Sequence, residues 1–317
     1  MADVTICIPA WNSEPFIDRT LDCACNQVDV DIRIVVSIDR SDDDTANICR
    51  ARQRDDARID VIEHGERIGW ARNANVLIEA APTDLFCFYF HDDIIEPDFA
   101  ARLTRALQER PDAASAHSDM ALFGGSDAIK PGALYEGTAA ERICRFMLRR
   151  ERGSLLRSMT RKSAIGALRL PEDGPAGYWA NEPYLLGLVA AGPALHVAET
   201  LYRRWDKRAG GLTDGWRSLG AAEIVEGFRR NAATMIALVD RLPDDAESRS
   251  MARYAVGLWL ALRARNLIKE GGVPPETVRD VFDLLLGDGP PPSLETMPRD
   301  IQALVREREG SLGLAPV

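Results

Sequence analysis

The stretch Val4-Thr5-Ile6-Cys7-Ile8-Pro9-Ala10-Trp11-Asn12 begins as a β-branched apolar run and ends in a proline, an aromatic ring and an amide. Val4–Ile8 reads as a short buried strand, and Pro9 through Asn12 as the loop that follows it. The pattern repeats down the chain. Ile32–Ile38 reads as a second strand and runs into Asp39-Arg40-Ser41-Asp42-Asp43-Asp44. Ile59–Ile62 reads as a third, and Leu85–Phe90 as a fourth, too apolar for a wet face, which ends at His91-Asp92-Asp93. Helix patterns lie between them. Glu14–Gln27 carries Phe16, Ile17, Leu21 and Ala24 at helical spacing, the segment after Ser41 reads as a helix with Ser41 as N-cap, and Trp70–Ala80 reads as another. Buried strands alternating with helices predict an α/β fold, a mostly parallel sheet flanked by helices. In such sheets ligands bind beyond the carboxyl ends of the strands, where the polar clusters fall.

Composition narrows the function. A hydrophobic content of 46% over 317 residues supports a sizeable core. With 39 basic against 49 acidic residues the net charge is −10, which argues against a nucleic-acid partner, since neutralising phosphates needs a basic footprint. Met1-Ala2-Asp3 leads directly into the first strand, with no basic or apolar leader, so no signal peptide and a cytoplasmic location are expected. The cysteines sit in apolar patterns without a CxxC pair, which predicts reduced, buried thiols. Beyond Gly220 the chain turns helical, with stripes at Ile224, Phe228, Met235, Val239 and Leu242 and at Val278, Val281, Phe282 and Leu285, before a Gly289-Pro290-Pro291-Pro292 linker.

Four segments carry a specific resemblance. Val4 through Glu14 resembles the opening strand and Pro-Ala-Tyr-Asn-Glu loop of family-2 glycosyltransferases, which have the GT-A fold. Val35 through Thr45 is similar to their Asp-Asp-Gly-Ser-x-Asp-Asp-Thr segment, and Gly69-Trp70-Ala71-Arg72-Asn73 to their Gly-x-x-x-Ala-Arg-Asn segment, shortened by two. Phe90-His91-Asp92-Asp93 and the residues after it resemble the Asp-x-Asp-Asp element. The resemblance implies inverting transfer of a sugar from a nucleoside-diphosphate donor, with a UDP-sugar favoured, to a hydroxyl of a glycan, lipid-linked or small-molecule acceptor. It implies a GT-A-like domain over 1–215, with a nucleotide-sugar-binding half at 1–108 and an acceptor-side half at 109–215, and a helical appendage over 216–317. The appendage stripes are expected to cover apolar surface and to pair two copies into a homodimer.

The residues suit such a donor. Trp11 can stack on a base or pack in its loop, and Asn12 and Asp39 can bind base edge and ribose or cap turns. Pro9, Ala10 and Glu14 belong to the same nucleotide-sugar-binding set, with His91. Arg72, at a helix start, can meet phosphate oxygens as a planar fork or pair with a nearby aspartate. Asp92 and Asp93 are the expected oxygen ligands for magnesium or manganese at the diphosphate, the alternative being helix-capping carboxylates. The first Asp of the family's element is Phe90 here, so the metal is expected to be weakly held.

The family segment with the acidic pair, whose Asp deprotonates the acceptor, corresponds to Tyr178-Trp179-Ala180-Asn181-Glu182-Pro183. Neither alignment register supplies that Asp, so Glu182 is the candidate base, with Glu172 and Asp173 as second candidates and a dipole-favoured helix start as the plain alternative. Leu201-Tyr202-Arg203-Arg204-Trp205 is similar to the closing segment that brings basic side chains to the diphosphate; Trp205 stands where His is frequent, and Arg203, with Arg204, is the candidate to replace it by charge. A basic cluster of Arg142, Arg145, Arg149, Arg150, Arg152, Arg157, Arg161 and Lys162 reads first as a solvated helix face, and otherwise as a site for an anionic acceptor or peripheral contact with a membrane surface. His64, His117 and His196 read as separate structural histidines. The absence of GxGxxG after the first strand speaks against a dehydrogenase. The competing class is a non-catalytic nucleotide-sugar-binding or scaffold protein, motivated by Phe90, Trp205 and the missing Asp.

Overall fold

The computed structural model describes residues 3–149, 154–174, 177–206, 208, 210–211, 215–216, 218–269, 293 and 297–313. The stripe at Val278, Val281, Phe282 and Leu285, the linker at 289–292, and Arg150 and Arg152 of the basic cluster lie outside them.

Strand β1 (Val4–Ala10) lies between β2 (Ile32–Ile38) and β4 (Leu85–Phe88), parallel to both, with Ile6 beside Ile34 and Cys87. Strand β3 (Ile59–Glu63) adds in parallel outside β2. Helices α1 (Ile17–Cys25), α2 (Thr45–Asp55) and α3 (Trp70–Ala80) make the crossovers that parallel pairing requires. Burial on both faces explains why β1 and β4 lack a polar face, while β3 at the edge is buried only at Ile59. Helix α2 starts at Thr45 after Asp44, so Ser41 is not its cap. The Ser41 hydroxyl instead donates to the Asp39 carbonyl at 2.9 Å.

Beyond β4 the sheet becomes mixed. Helix α4 (Phe99–Glu109) precedes β6 (Ser115–Phe123), which runs parallel to β9 (Ala194–Trp205). Short antiparallel strands β5 (Ile94–Ile95), β7 (Ile129–Lys130) and β8 (Met159–Arg161) pair with β9, β6 and β4. Among the described residues the order is β3-β2-β1-β4-β8-β6-β9-β5, with β7 beside β6.

The chain forms two compact units. The first, Met1–Leu134, Glu151–Glu172 and Ala194–Gly211, contains the whole sheet. The second, Tyr135–Arg150, Asp173–Pro193 and Leu212–Val317, is helical. It includes α5 (Ala139–Leu148), α7 (Asn181–Ala191), α8 (Ala221–Asp240), α9 (Ala246–Lys269) and α10 (Arg299–Leu312), while the short α6 (Lys162–Ile165) belongs to the first. The division expected after 215 follows chain order; compactness groups two earlier segments with the tail. Phe228, Met235, Val239 and Leu242 are buried within this helical unit, so their stripe no longer argues for pairing between copies.

Among the described residues no helix is long and apolar enough to cross a membrane. Cys7, Cys49, Cys87 and Cys144 are buried and all six cysteines are unbridged. Burial pushes the Cys49 and Cys87 thiols up to about 12, which keeps them protonated.

Candidate functional site

The loops after β1 and β2 are laced together. Asn12 adopts φ 41°, a left-handed conformation that Asn tolerates. Its amide donates to Ser41 Oγ at 3.0 Å and its Oδ1 accepts the Asp42 amide at 3.0 Å. The Glu14 amide donates to Asp43 at 3.0 Å, while the Glu14 carboxylate accepts the Asp44 amide at 3.1 Å. These atoms of Asn12 and Glu14 therefore build the cradle. Pro9 and Ala10 take part through their carbonyls, which accept from His91 Nδ1 at 3.0 Å and from the Asp39 amide at 2.9 Å.

Asp39, 1% exposed, joins this cradle to the loop before α3. Its two oxygens accept the Ile68 amide at 2.8 Å and the Gly69 amide at 3.0 Å, and Arg67 pairs with it at 3.3 Å. Gly69 has φ 83°, which a side chain would oppose. The Arg67 guanidinium also lies over the Trp11 ring, 3.9 Å from its centre. Trp11 is 38% exposed, an unusual amount for so large a ring. Arg67 was missed in the sequence because no motif marks it; its place becomes visible only when three loops converge.

The acidic loop divides its two aspartates. Asp93 is 1% exposed. One oxygen accepts Tyr202 Oη at 2.8 Å and Arg157 Nε at 3.1 Å, and the other accepts the Trp205 amide at 3.0 Å. Burial pushes its carboxyl up while Arg157 pulls it down, and three donors on two oxygens match the ionised form. Asp92 is more accessible, and its carboxylate accepts Arg208 Nε at 2.6 Å. His91 donates from Nδ1 to Pro9, so in the neutral ring Nε2 is an acceptor, 3.5 Å from Arg208 Nη2. Phe90 lies under the Arg157 guanidinium at 4.7 Å.

Without the oxygens of a diphosphate, this donor set is too small to hold a divalent cation. Such an ion takes six or more oxygens, commonly one or two carboxylates plus phosphates and water. Asp93, expected as a ligand, has both oxygens committed to protein donors, and Asp92 already has a cation of its own. Among the described residues no cluster of three His, Cys, Asp or Glu is placed to hold a metal ion.

Other candidates are engaged elsewhere. Arg72 is exposed and reaches Glu172 at 3.9 Å, rather than a neighbouring aspartate. Glu172 also accepts Asn75 Nδ2 at 2.7 Å. Arg203 pairs with Glu96 at 2.7 Å across β5 and β9. Trp205, in the place where His is frequent, packs edge-on to Phe16. In the helical unit, Glu182 sits in the first turn of α7, 8% exposed, and accepts Asn181 Nδ2 at 3.1 Å. Asp173 pairs with Arg230 at 2.9 Å.

The basic cluster is not a solvated face. Arg142 is buried and donates to the carbonyls of Val189 and Ala190 at 2.6 and 2.7 Å, Arg145 pairs with Asp300 at 2.8 Å, and Lys162 donates to the Ala81 carbonyl at 2.9 Å. His117 and His196, read as separate, lie with ring centres 5.7 Å apart, and His196 Nε2 meets Asp119 at 2.7 Å. A groove of about 420 Å³ between Arg33, Asp60 and Pro82 contains none of the candidate residues and lies away from the carboxyl ends of the strands.

The fold and family of known proteins can be set beside this geometry. EpsJ of Bacillus subtilis, an uncharacterised glycosyltransferase, is 32% identical over 106 residues, 33% of this chain and 30% of its own. GlyA of Streptococcus pneumoniae, a glycosyltransferase, is 30% identical over 106 residues, 33% of this chain and 15% of its own. The match therefore spans a third or less of those relatives. TarS of S. aureus (residues 1–349, solved with UDP-GlcNAc) shares the fold at TM-score 0.70 and 16% identity, over 95% of this chain and 83% of its own. The mannosyltransferase PcManGT of Pyrobaculum calidifontis, solved with GDP-Man and Mn2+, superposes at TM-score 0.52 with 14% identity, over 100% of this chain and 84% of its own. The profile described as glycosyl transferase family 2 matches residues 5–165, the stretch that holds the cradle, the Asp39 bridge and the acidic loop, and the chain belongs to that family.

Proposed function

We propose that the chain transfers a sugar, with inversion, from a nucleoside-diphosphate donor, a UDP-sugar by preference, to an acceptor hydroxyl. The observation that carries this reading is the exposed Trp11 ring beside Arg67 and the buried Asp39 at the carboxyl ends of β1 and β2. An exposed indole stacks on a base, and a carboxylate that pins two backbone amides holds the neighbouring loop in place for it. The diphosphate, on this reading, lies toward the acidic loop and departs with the nucleoside. Glu182 takes the acceptor proton as the acceptor oxygen attacks the anomeric carbon, because a neutral hydroxyl is a poor nucleophile. The acceptor is a glycan, a lipid-linked sugar or a small molecule. Support comes from the family assignment, from the bound donors named for TarS and PcManGT, and from the cradle itself.

The test is a panel of UDP- and GDP-sugars, read first by thermal shift and then by release of free nucleotide with and without acceptor extracts. A stabilising donor that is also turned over supports the transferase. A stabilising donor with no turnover under any condition favours the non-catalytic class, and no stabilising donor removes the reading.

A further inference from the structure

Arg208 has no part in the reading above, yet it sits on the single carboxylate of the acidic loop that reaches solvent. Its Nε donates to Asp92 at 2.6 Å, and the two side chains are 17% and 19% exposed. Its guanidinium carbon lies 5.1 Å from the centre of the Phe16 ring. Its Nη2 faces His91 Nε2 at 3.5 Å, a nitrogen left as an acceptor by the bond from Nδ1 to Pro9. The group is thus gripped on three sides where a donor diphosphate would arrive.

Resting on the donor reading of this site, we infer that Arg208, and not a divalent cation, supplies the positive charge that meets the diphosphate. Three features converge on it. Phe90 stands in place of a carboxylate and packs under Arg157. Asp93 is closed off by Tyr202, Arg157 and the Trp205 amide. Asp92 alone would be one ligand, and a metal ion there would first have to displace a charge-assisted bond of 2.6 Å. A guanidinium has five N–H donors in a fixed fork, and Asp92 takes only the one on Nε. The fork suits phosphate oxygens, does not lose its proton, and holds the leaving nucleoside diphosphate through charge and hydrogen bonds. Asp92 is then the positioning residue that fixes Arg208, which gives this carboxylate a role without metal.

The experiment uses the full chain, with UDP, uridine and the best donor from the panel, each with EDTA and with manganese. The wild-type protein is expected to bind UDP and release it from donor within about twofold in both conditions. Arg208→Ala is expected to lose UDP affinity and turnover by about ten- to a hundredfold, the scale of one hydrogen bond to a charged group, and to bind uridine as before. Arg208→Lys should recover part of the loss, since it keeps the charge without the fork. If the wild-type protein binds and turns over donor only with manganese, Arg208 does not replace the cation and the inference fails, while the transferase reading stands. Arg208→Ala with unchanged UDP affinity in EDTA also overturns it. If Arg208→Ala folds poorly, Arg208→Lys tests the residue in its place, and the wild-type EDTA comparison tests the metal independently of any variant. If no nucleotide or donor binds the wild-type protein under either condition, the transferase reading itself is lost, and the inference with it.

Discussion

Arg157 donates through Nε to the Asp93 carboxylate at 3.1 Å, and the two side chains are only 15% and 2% exposed. A charge pair this far from water is held by its own complementarity, and removing either member leaves the other uncompensated. Arg157→Met is therefore expected to destabilise the protein by about 3–5 kcal/mol. Chemical denaturation checks this: a midpoint and slope equal to wild type would show that Arg157 does not hold Asp93.

Asp39 is expected to act on the nucleoside through loop order. Asp39→Ala frees the Ile68 and Gly69 amides and releases Arg67 from its anchor beside Trp11. Uridine and UDP affinities should fall together, by about tenfold or more, the scale of losing a buried hydrogen-bonded carboxylate. Calorimetry with both ligands reads the outcome. Uridine binding at wild-type strength would mean that this bridge has no part in the site.

His117 should make the protein acid-sensitive. It is buried, and burial first, then the neighbouring His196, pulls it down from 6.5 to about 3, with Asp119 opposing. The Ala133 amide donates to its Nε2 at 3.3 Å, which suits the neutral ring. The folded value lies below the unfolded one, so as pH falls through 6.5 the unfolded chain takes up the proton first. Stability from this group is whole above 6.5 and declines toward 3. Between about pH 7 and about pH 4.5 the wild-type protein should lose about 2 kcal/mol more than His117→Gln. Urea midpoints at both pH values test it, and parallel losses in the two proteins would place the acid sensitivity elsewhere.

Glu182→Gln keeps shape and hydrogen bonding at the first turn of α7 and removes basicity. Donor binding should stay near normal while transfer to a hydroxyl acceptor falls by about a hundredfold or more, the usual scale of a general base. Single-turnover transfer with matched donor occupancy measures this. Native rates in Glu182→Gln with abolished rates in Glu172→Gln or Asp173→Asn would move the base to that earlier pair.

How much was legible in the sequence follows from the range of the forces involved. Strand β2 and helix α3 occur where periodicity put them, at Ile32–Ile38 and Trp70–Ala80, because apolar repetition is a local signal that burial then selects. The loops at Pro9 to Asn12, Asp39 to Asp44 and His91 to Asp93 were legible for the same reason: they end buried strands, and in this topology strand ends are where a site is proposed. Ser41 misled because a serine before a helix pattern caps only when no stronger partner is near, and here the Asn12 amide and the Asp39 carbonyl hold it.

The sequence by itself determined the α/β framework and the family, and it marked the strand-end loops where the proposed site lies. Only the tertiary structure decided which arginine serves which carboxylate. Arg67 goes to Asp39, Arg157 to Asp93, Arg203 to Glu96 and Arg208 to Asp92, across separations in the chain that no periodic pattern spans. The cause is that a guanidinium at the end of a long, flexible stem carries no local address. Its partner is set by which carboxylates folding removes from water and leaves in need of a charge.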